Sequence, residues 1–318
     1  MLLYLCPVEI QRKKMSRVRF HAIDAISKVM NVKQYFPEKD EDIKTVVDTY
    51  KPKYVFWYKP CDLKNFLYVA SNKNIIKIIS YNEMYNRQKT IKEILTSRSN
   101  LIICHHNNDY DWYVKNYDLY FNTCNYNSRR VVFVNIPHSA NENIFKDYGL
   151  KKEWDVLLVG RATPKHYPFR VRLLNIVENR LSKICKTKVW EHPGYNLDIK
   201  NHDDILVEYA KAINKSKITL SCSSKYFYLL GKMTEIPACR SLLCSDLPDD
   251  RNDIFSQFTL EINDSMSDDK IVEKIKSMLN NDSKLKEMTD LGKAIIDEKF
   301  QFVHYAAKFK KIIGSIYG

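Results

Sequence analysis

Glycine and proline are scarce: the 318-residue chain holds 7 glycines and 10 prolines. So little punctuation excludes a loop-rich or low-complexity protein. No apolar run reaches the roughly 18 residues that a membrane-spanning helix needs. The opening MLLYLCPVEI is too short an apolar stretch for a signal-peptide core. None of the eight cysteines forms a CxxC pair, so zinc-finger spacing is missing. Like charges never run to five or six in a row, which excludes a basic tail. GxGxxG, P-loop, GxSxG, HExxH and kinase-like sets do not occur, and no repeat of about 20–50 residues is found.

What is present suits a well-packed protein of two domains. Hydrophobic residues make up 45% of the chain, enough to build cores. Several cysteines, such as Cys104 in LIIC and Cys244 in SLLC, sit inside apolar runs and read as small buried hydrophobes. That suits a reducing, cytoplasmic setting. The net charge is +13. It is spread over the chain, with net +8 (23 basic, 15 acidic) in residues 1–150 and net +5 (28 basic, 23 acidic) after them. Such an excess suits an anionic partner or a lysine-biased solvated surface.

Short apolar runs alternate with amphipathic stretches. MLLYLC (1–6), KYVFWY (53–58), NIIKIIS (74–80), LIICHH (101–106), DLYFN (118–122) and RVVFVNI (130–136) read as strands, with a helix over 15–30. Residues 137–153 interrupt the pattern with Pro137, Asn141, Asn143 and Gly149. It then restarts, with strands at DVLLVG (155–160), KVWE (188–191), ITLSC (218–222), SLLCS (241–245) and FTLEI (258–262). Helices are expected at 168–185, 203–214, 227–239, 268–280, 283–298 and 302–317. The reading is α/β: two doubly wound Rossmann-like domains facing across a cleft, with ligands outside the carboxyl ends of the strands.

Three segments could carry chemistry. After DVLLVG, Gly160 lets a ligand approach the backbone while Arg161, Lys165 and the next helix's N-terminus supply positive charge. That outlines a diphosphate pocket; the bland reading is an ordinary basic turn. In LLGKMTEIPACRSLLCSDLP, Lys232 and Glu235 share one helix face. The carboxylate could accept from ribose hydroxyls, or the two could form an exposed ion pair worth a few tenths of a kcal/mol. In HHNNDYDW, His105, His106, Asp109 and Asp111 crowd a strand end. Asp109 or His106 there could serve as an acid or base, as could His21 in RVRFHAIDAI. The same cluster invites a metal reading, but adjacent histidines rarely reach one ion, so no metal is assigned. His138 and His192 also sit at strand ends.

WDVLLVGRATPKHYPFR, EHPGY, YAKAINKSKITLSCS and GKMTEIPACRSLLCSDLP, in this order, resemble GT-B-fold glycosyltransferases. The resemblance is to the spore-maturation-protein (CgeB-like) type with a glycosyl transferases group 1 C-terminal domain. Where that family reads KxFExxACGxxLLxD, Lys232, Glu235, Ala238, Cys239, Leu242, Leu243 and Asp246 fall on the pattern, while Arg240 replaces the glycine. HHNND resembles the family's histidine–aspartate loop. The resemblance covers about residues 130–310 and is faint before them.

It implies an N-terminal acceptor-side domain (1–140), a C-terminal nucleotide-sugar-binding domain (150–301), and a last helix (302–318) packing back on the first domain. It also implies metal-independent transfer of a sugar from a nucleotide-diphosphate donor, a UDP- or GDP-sugar acting as co-substrate, to a hydroxyl of a glycan, protein or lipid-linked acceptor. By position, Glu235 would hold the ribose; Arg161, Lys165 and Lys232 would hold the diphosphate, at Gly160. Many retaining members carry a second glutamate eight positions earlier, where this chain has Phe227, so retaining and inverting outcomes both stay open. Peripheral membrane contact is compatible with this reading, and specific nucleic-acid binding is not expected. A nucleic-acid-binding protein, a catalytically inactive nucleotide-sugar-binding relative and an epimerase of the same fold are the alternatives.

Overall fold

The computed structural model describes residues 1–123, 125–126 and 129–318. It divides into two compact units: Met1–Pro137 with Tyr195–Lys200 and Tyr305–Gly318, and His138–Gly194 with Asn201–His304.

The first unit runs β1 (Leu2–Leu5), α1 (Val8–Lys13), α2 (Val18–Ser27), β2 (Val32–Tyr35), α3 (Ile43–Tyr50), β3 (Tyr54–Trp57), α4 (Phe66–Ser71), β4 (Ile76–Tyr81), α5 (Arg87–Ser97) and β5 (Leu101–Cys104). It continues with α6 (Asn107–Lys115), α7 (Tyr117–Tyr120), the short strands β6 (Asn125–Tyr126) and β7 (Arg129–Arg130), and β8 (Val132–Asn135). Its main sheet has the order β2-β1-β3-β4-β5-β8, and every pair is parallel. Strands such as YVFW and LIIC are buried throughout because helices cover both faces. One layer packs Val46, Val69, Ile94 and Tyr113 from α3 to α6 on the sheet. On Tyr4 and Phe56 of the strands rest Phe20 and Phe309, the latter stacked on Phe56 at 5.9 Å.

The second unit runs β9 (Trp154–Leu158), α8 (Pro168–Asn179), β10 (Thr187–Val189), α9 (His202–Asn214), β11 (Ser216–Leu220), α10 (Gly231–Ala238), β12 (Leu242–Ser245), α11 (Asn252–Phe255) and β13 (Leu260–Glu261). Three helices follow: α12 (Asp268–Leu279), α13 (Asp282–Lys299) and α14 (Phe302–Tyr317). Its sheet, β10-β9-β11-β12-β13, is also wholly parallel. Two cores flank it, one around Leu157, Ile213, Met233 and Phe258, the other around Val156, Leu173, Ile218 and Ile275. Helix α14 begins in this unit, and from Tyr305 onward its residues group with the first.

Three expectations are corrected. DLYFN is not a strand: Tyr117–Tyr120 forms a helical turn, and Tyr117 and Phe121 pack together. The helix expected over 15–30 is shorter, with α1 before it. The strand β2 was not foreseen, because VKQY is a half-exposed edge with little apolar signal.

Arg240 takes the left-handed conformation, φ 55°, just after α10 ends, which is why a glycine is usual there. Its guanidinium offsets the backbone cost by pairing with Asp147 at 3.0 Å and Asp290 at 2.8 Å. Its carbonyl accepts from Lys152 at 2.6 Å. All this lies at the amino end of β12, the sheet edge opposite the ligand-binding one, so the bulk of Arg240 does not reach that edge.

Candidate functional site

In the second unit the strand order reverses between β9 and β11, which start the two halves of the sheet. A ligand crevice opens outside the carboxyl ends of such a strand pair. The turn after β9 and the loop after β11 are therefore the places to look.

Gly160 ends the first, with φ 93°. A β-carbon there would lie 2.7 Å from Lys232 Cε and 2.8 Å from Arg170 Nη1. Only glycine leaves room for two cationic side chains to converge on this backbone. Arg170, in the first turn of α8, is 1% exposed. Its Nη1 donates to Arg161 O at 3.1 Å and its Nη2 to Cys222 O at 3.2 Å. Its guanidinium carbon sits 4.3 Å from the Tyr167 ring centroid. Its buried Nε has no hydrogen-bond partner among the described residues. Burial holds the Lys232 ammonium below its usual range; Glu235 pulls the other way, and Arg170 adds to the depression. The Lys232 ammonium also lies 5.6 Å over the Tyr209 ring.

Glu235 is on the same helix, one turn on. One carboxylate oxygen lies 3.3 Å from where a β-carbon of Gly231 would sit, so the carboxylate folds back toward the helix start. Beside it is the buried Tyr209 hydroxyl, pushed well above its usual range by burial and then by the charge of Glu235. His192, beyond β10, completes the group. Burial pushes its imidazole down to about 4, and Lys232, Arg161 and Arg170 add to the effect. Three cations thus gather with one carboxylate among the named groups. An anion bound there would offset the mutual repulsion and partial burial of these cations.

Of the expected donor-site residues, Gly160, Arg161, Lys232 and Glu235 come together. Lys165 does not join them: it is exposed further along the turn, close enough to His166 that, with Lys225, it adds to the burial that lowers the imidazole. Arg170 and His192 are the residues the sequence reading undervalued. The spacing that could have found Arg170 is its position in the first turn of the helix that follows the strand-end glycine.

The expected catalytic residues lie in the first unit, and they do not form one cluster. Asp109, in the first turn of α6, is 1% exposed. Its Oδ2 accepts from Met84 N at 2.9 Å and its Oδ1 from Arg87 Nη1 at 2.5 Å. The two oxygens tie α6 to the start of α5 and to the segment just before it, an arrangement unlike that of a base open to an acceptor. His106 precedes it and is fully buried. The neighbouring His105 bonds through Nδ1 to Ile136 O at 2.8 Å, and Asn107 donates to Asp111 at 2.8 Å. His21, buried in α2, follows β1, whereas His106 follows β5. Two strands, β3 and β4, separate those ends, about 14 Å at the usual strand spacing. The order of this sheet reverses between β1 and β3, which favours the His21 side. Among the described residues no three His, Cys, Asp or Glu side chains gather as a metal site, and no helix is long and apolar enough to cross a membrane.

Sequence comparison agrees with this geometry. Residues 160–311 match the family described as "Glycosyl transferase-like". The match opens on Gly160 and includes Lys232 and Glu235. No curated protein is similar to the chain in sequence. Solved structures share its whole fold. Sucrose-phosphate synthase from Thermosynechococcus elongatus superposes with a TM-score of 0.65 at 10% identity, covering 100% of this chain and 99% of its own. Anabaena HepE, solved with UDP and glucose, gives 0.63 at 10% identity over 99% of each chain. A glycosyltransferase from Rickettsia africae gives 0.61 at 12% identity over 99% and 98%. The two parallel sheets with alternating helices match the architecture of these structures.

Proposed function

We propose that the protein transfers a sugar from a UDP- or GDP-sugar to an acceptor hydroxyl without a metal ion, and that the second unit holds the donor. The observation that carries this reading is the convergence of Lys232 and Arg170 on Gly160, with Glu235 one turn further along α10. The diphosphate would lie over Gly160, its charge met by Lys232, Arg161 and Arg170. As the sugar–phosphate bond breaks, negative charge grows on the departing diphosphate, and preformed cations in a dry site stabilise that charge most. Glu235 would accept from the ribose hydroxyls.

UDP is the favoured nucleotide, because HepE and the pneumococcal O-GlcNAc transferase GtfA were each solved with it. For an inverting reaction we propose His21 as the base, with His106 the second choice; Asp109 is already occupied within the fold. The acceptor class, whether glycan, protein or lipid-linked, and the spore-maturation subtype are left to experiment, as is retention or inversion at the sugar. Thermal-shift measurements with UDP, GDP, ADP and their sugars test the reading. A ligand at a hundred times its Kd adds about 2.7 kcal/mol of stability. No shift with any of them would contradict donor binding, and loss of transfer in chelator, restored by magnesium or manganese, would contradict metal independence.

A further inference from the structure

The loop between β11 and α10 carries a feature that the nucleotide site does not explain. Phe227, near its middle, is 49% exposed and takes φ 52°. Ser224 in the same loop is also left-handed, at φ 69°. Two non-glycine residues in this region within four positions are costly, and strain of this kind persists only where the surroundings impose it. Here they do. Asp246, buried at the end of β12, accepts from Ser223 N at 2.7 Å and Ser223 Oγ at 2.6 Å. Tyr228 N donates back to Ser223 O at 2.9 Å, and Phe227 O accepts from Asp249 N at 3.0 Å. The loop is built to hold a large apolar ring out in solvent.

Both ends of the loop touch the cation cluster. Cys222 O, near its start, accepts from Arg170, and Lys232, just after it, converges on Gly160. Three residues separate Phe227 from Gly231, so their Cα atoms lie within about 14 Å of each other, and Gly231 adjoins Lys232 of the cluster. The loop is also joined to the turn after β9, where Lys225 N donates to His166 O at 3.0 Å.

We infer that Phe227 is the stacking surface for the transferred sugar, packing on the C–H face of a pyranose attached to the diphosphate. The inference rests on the donor reading and adds a determinant of sugar, as opposed to nucleotide, recognition. The ring offers no hydrogen bond, so selectivity follows the continuity of the sugar's apolar face and not one hydroxyl.

Calorimetry with UDP, UDP-glucose and UDP-N-acetylglucosamine on wild type, Phe227→Ala, Phe227→Trp and Phe227→Gly tests this. The expected result is UDP affinity within twofold in all four proteins, with UDP-sugar affinity about fivefold to twentyfold weaker in Phe227→Ala and Phe227→Gly and retained in Phe227→Trp. Phe227→Gly also melts higher than wild type, because glycine relieves the left-handed backbone. Unchanged UDP-sugar affinity in Phe227→Ala overturns the inference alone, as does a parallel loss of UDP. Failure of the wild type to bind UDP overturns the donor reading and the inference with it.

Discussion

The Cε atom of Lys232 lies 2.7 Å from where a β-carbon on Gly160 would sit. The glycine exists to let this lysine, and Arg170 behind it, reach one point of the chain. Gly160→Ala adds a methyl group there and strains a backbone at φ 93°. Lys232 Cε can move aside, but Arg170 is buried and hydrogen-bonded, so the fold survives with a stability loss of about 2–3 kcal/mol. The cations are displaced, however, and UDP affinity falls more than tenfold. Calorimetry and a melting curve on the same sample separate the two effects.

Glu235→Ala should weaken UDP about tenfold to a hundredfold, since a hydrogen bond to a charged group is worth roughly 1.5–3 kcal/mol. Glu235→Gln keeps one acceptor oxygen and loses less. If Glu235 only neutralised Lys232, both variants would bind UDP as wild type does. Titrating the variants with uridine as well as UDP isolates the ribose contribution.

His192 predicts a pH signature. Its folded-state value, about 4, lies below the ordinary 6.5. The unfolded chain therefore binds the proton first as pH falls, and this residue's contribution to stability is lost from about pH 6.5 down to pH 4. A diphosphate beside the three cations restores protonation, so UDP binding at pH 5.5 takes up protons. Calorimetry in buffers of different ionisation enthalpy measures that uptake, and His192→Gln abolishes it.

Asp109→Asn tests the structural role assigned to that residue. It leaves the Arg87 guanidinium without its carboxylate, at a cost of about 1–3 kcal/mol, less than a wholly buried pair because Arg87 is 25% exposed. Urea denaturation should show this loss while UDP affinity stays at the wild-type value.

The architecture was largely legible, because buried parallel strands such as LIIC and DVLL are continuous apolar runs that stand out from amphipathic helices. The grouping of Gly160, Lys232 and Glu235 was legible too, since a glycine at a strand end and a Lys–Glu pair one helical turn apart are local signals. Arg170 was not. An arginine near a helix start reads as surface, and only the packing of the β9 turn against the β11 loop buries it. Asp109 misled for the opposite reason: polar residues after a strand read as an open loop, but here they begin a helix and the aspartate faces inward. DLYFN misled because its aromatic run has strand-like composition, whereas its rings serve helix packing.

The central claim is that the buried cations of the second unit exist for the donor's diphosphate. Lys232→Met tests it most directly, because methionine keeps the length and apolar stem of the side chain and removes the charge. The measurement is UDP binding by calorimetry alongside the melting temperature without ligand. The account predicts at least a tenfold loss of UDP affinity with an unchanged or higher melting temperature, since a desolvated cation has been removed. Undiminished UDP affinity, or a lower melting temperature without ligand, would contradict it.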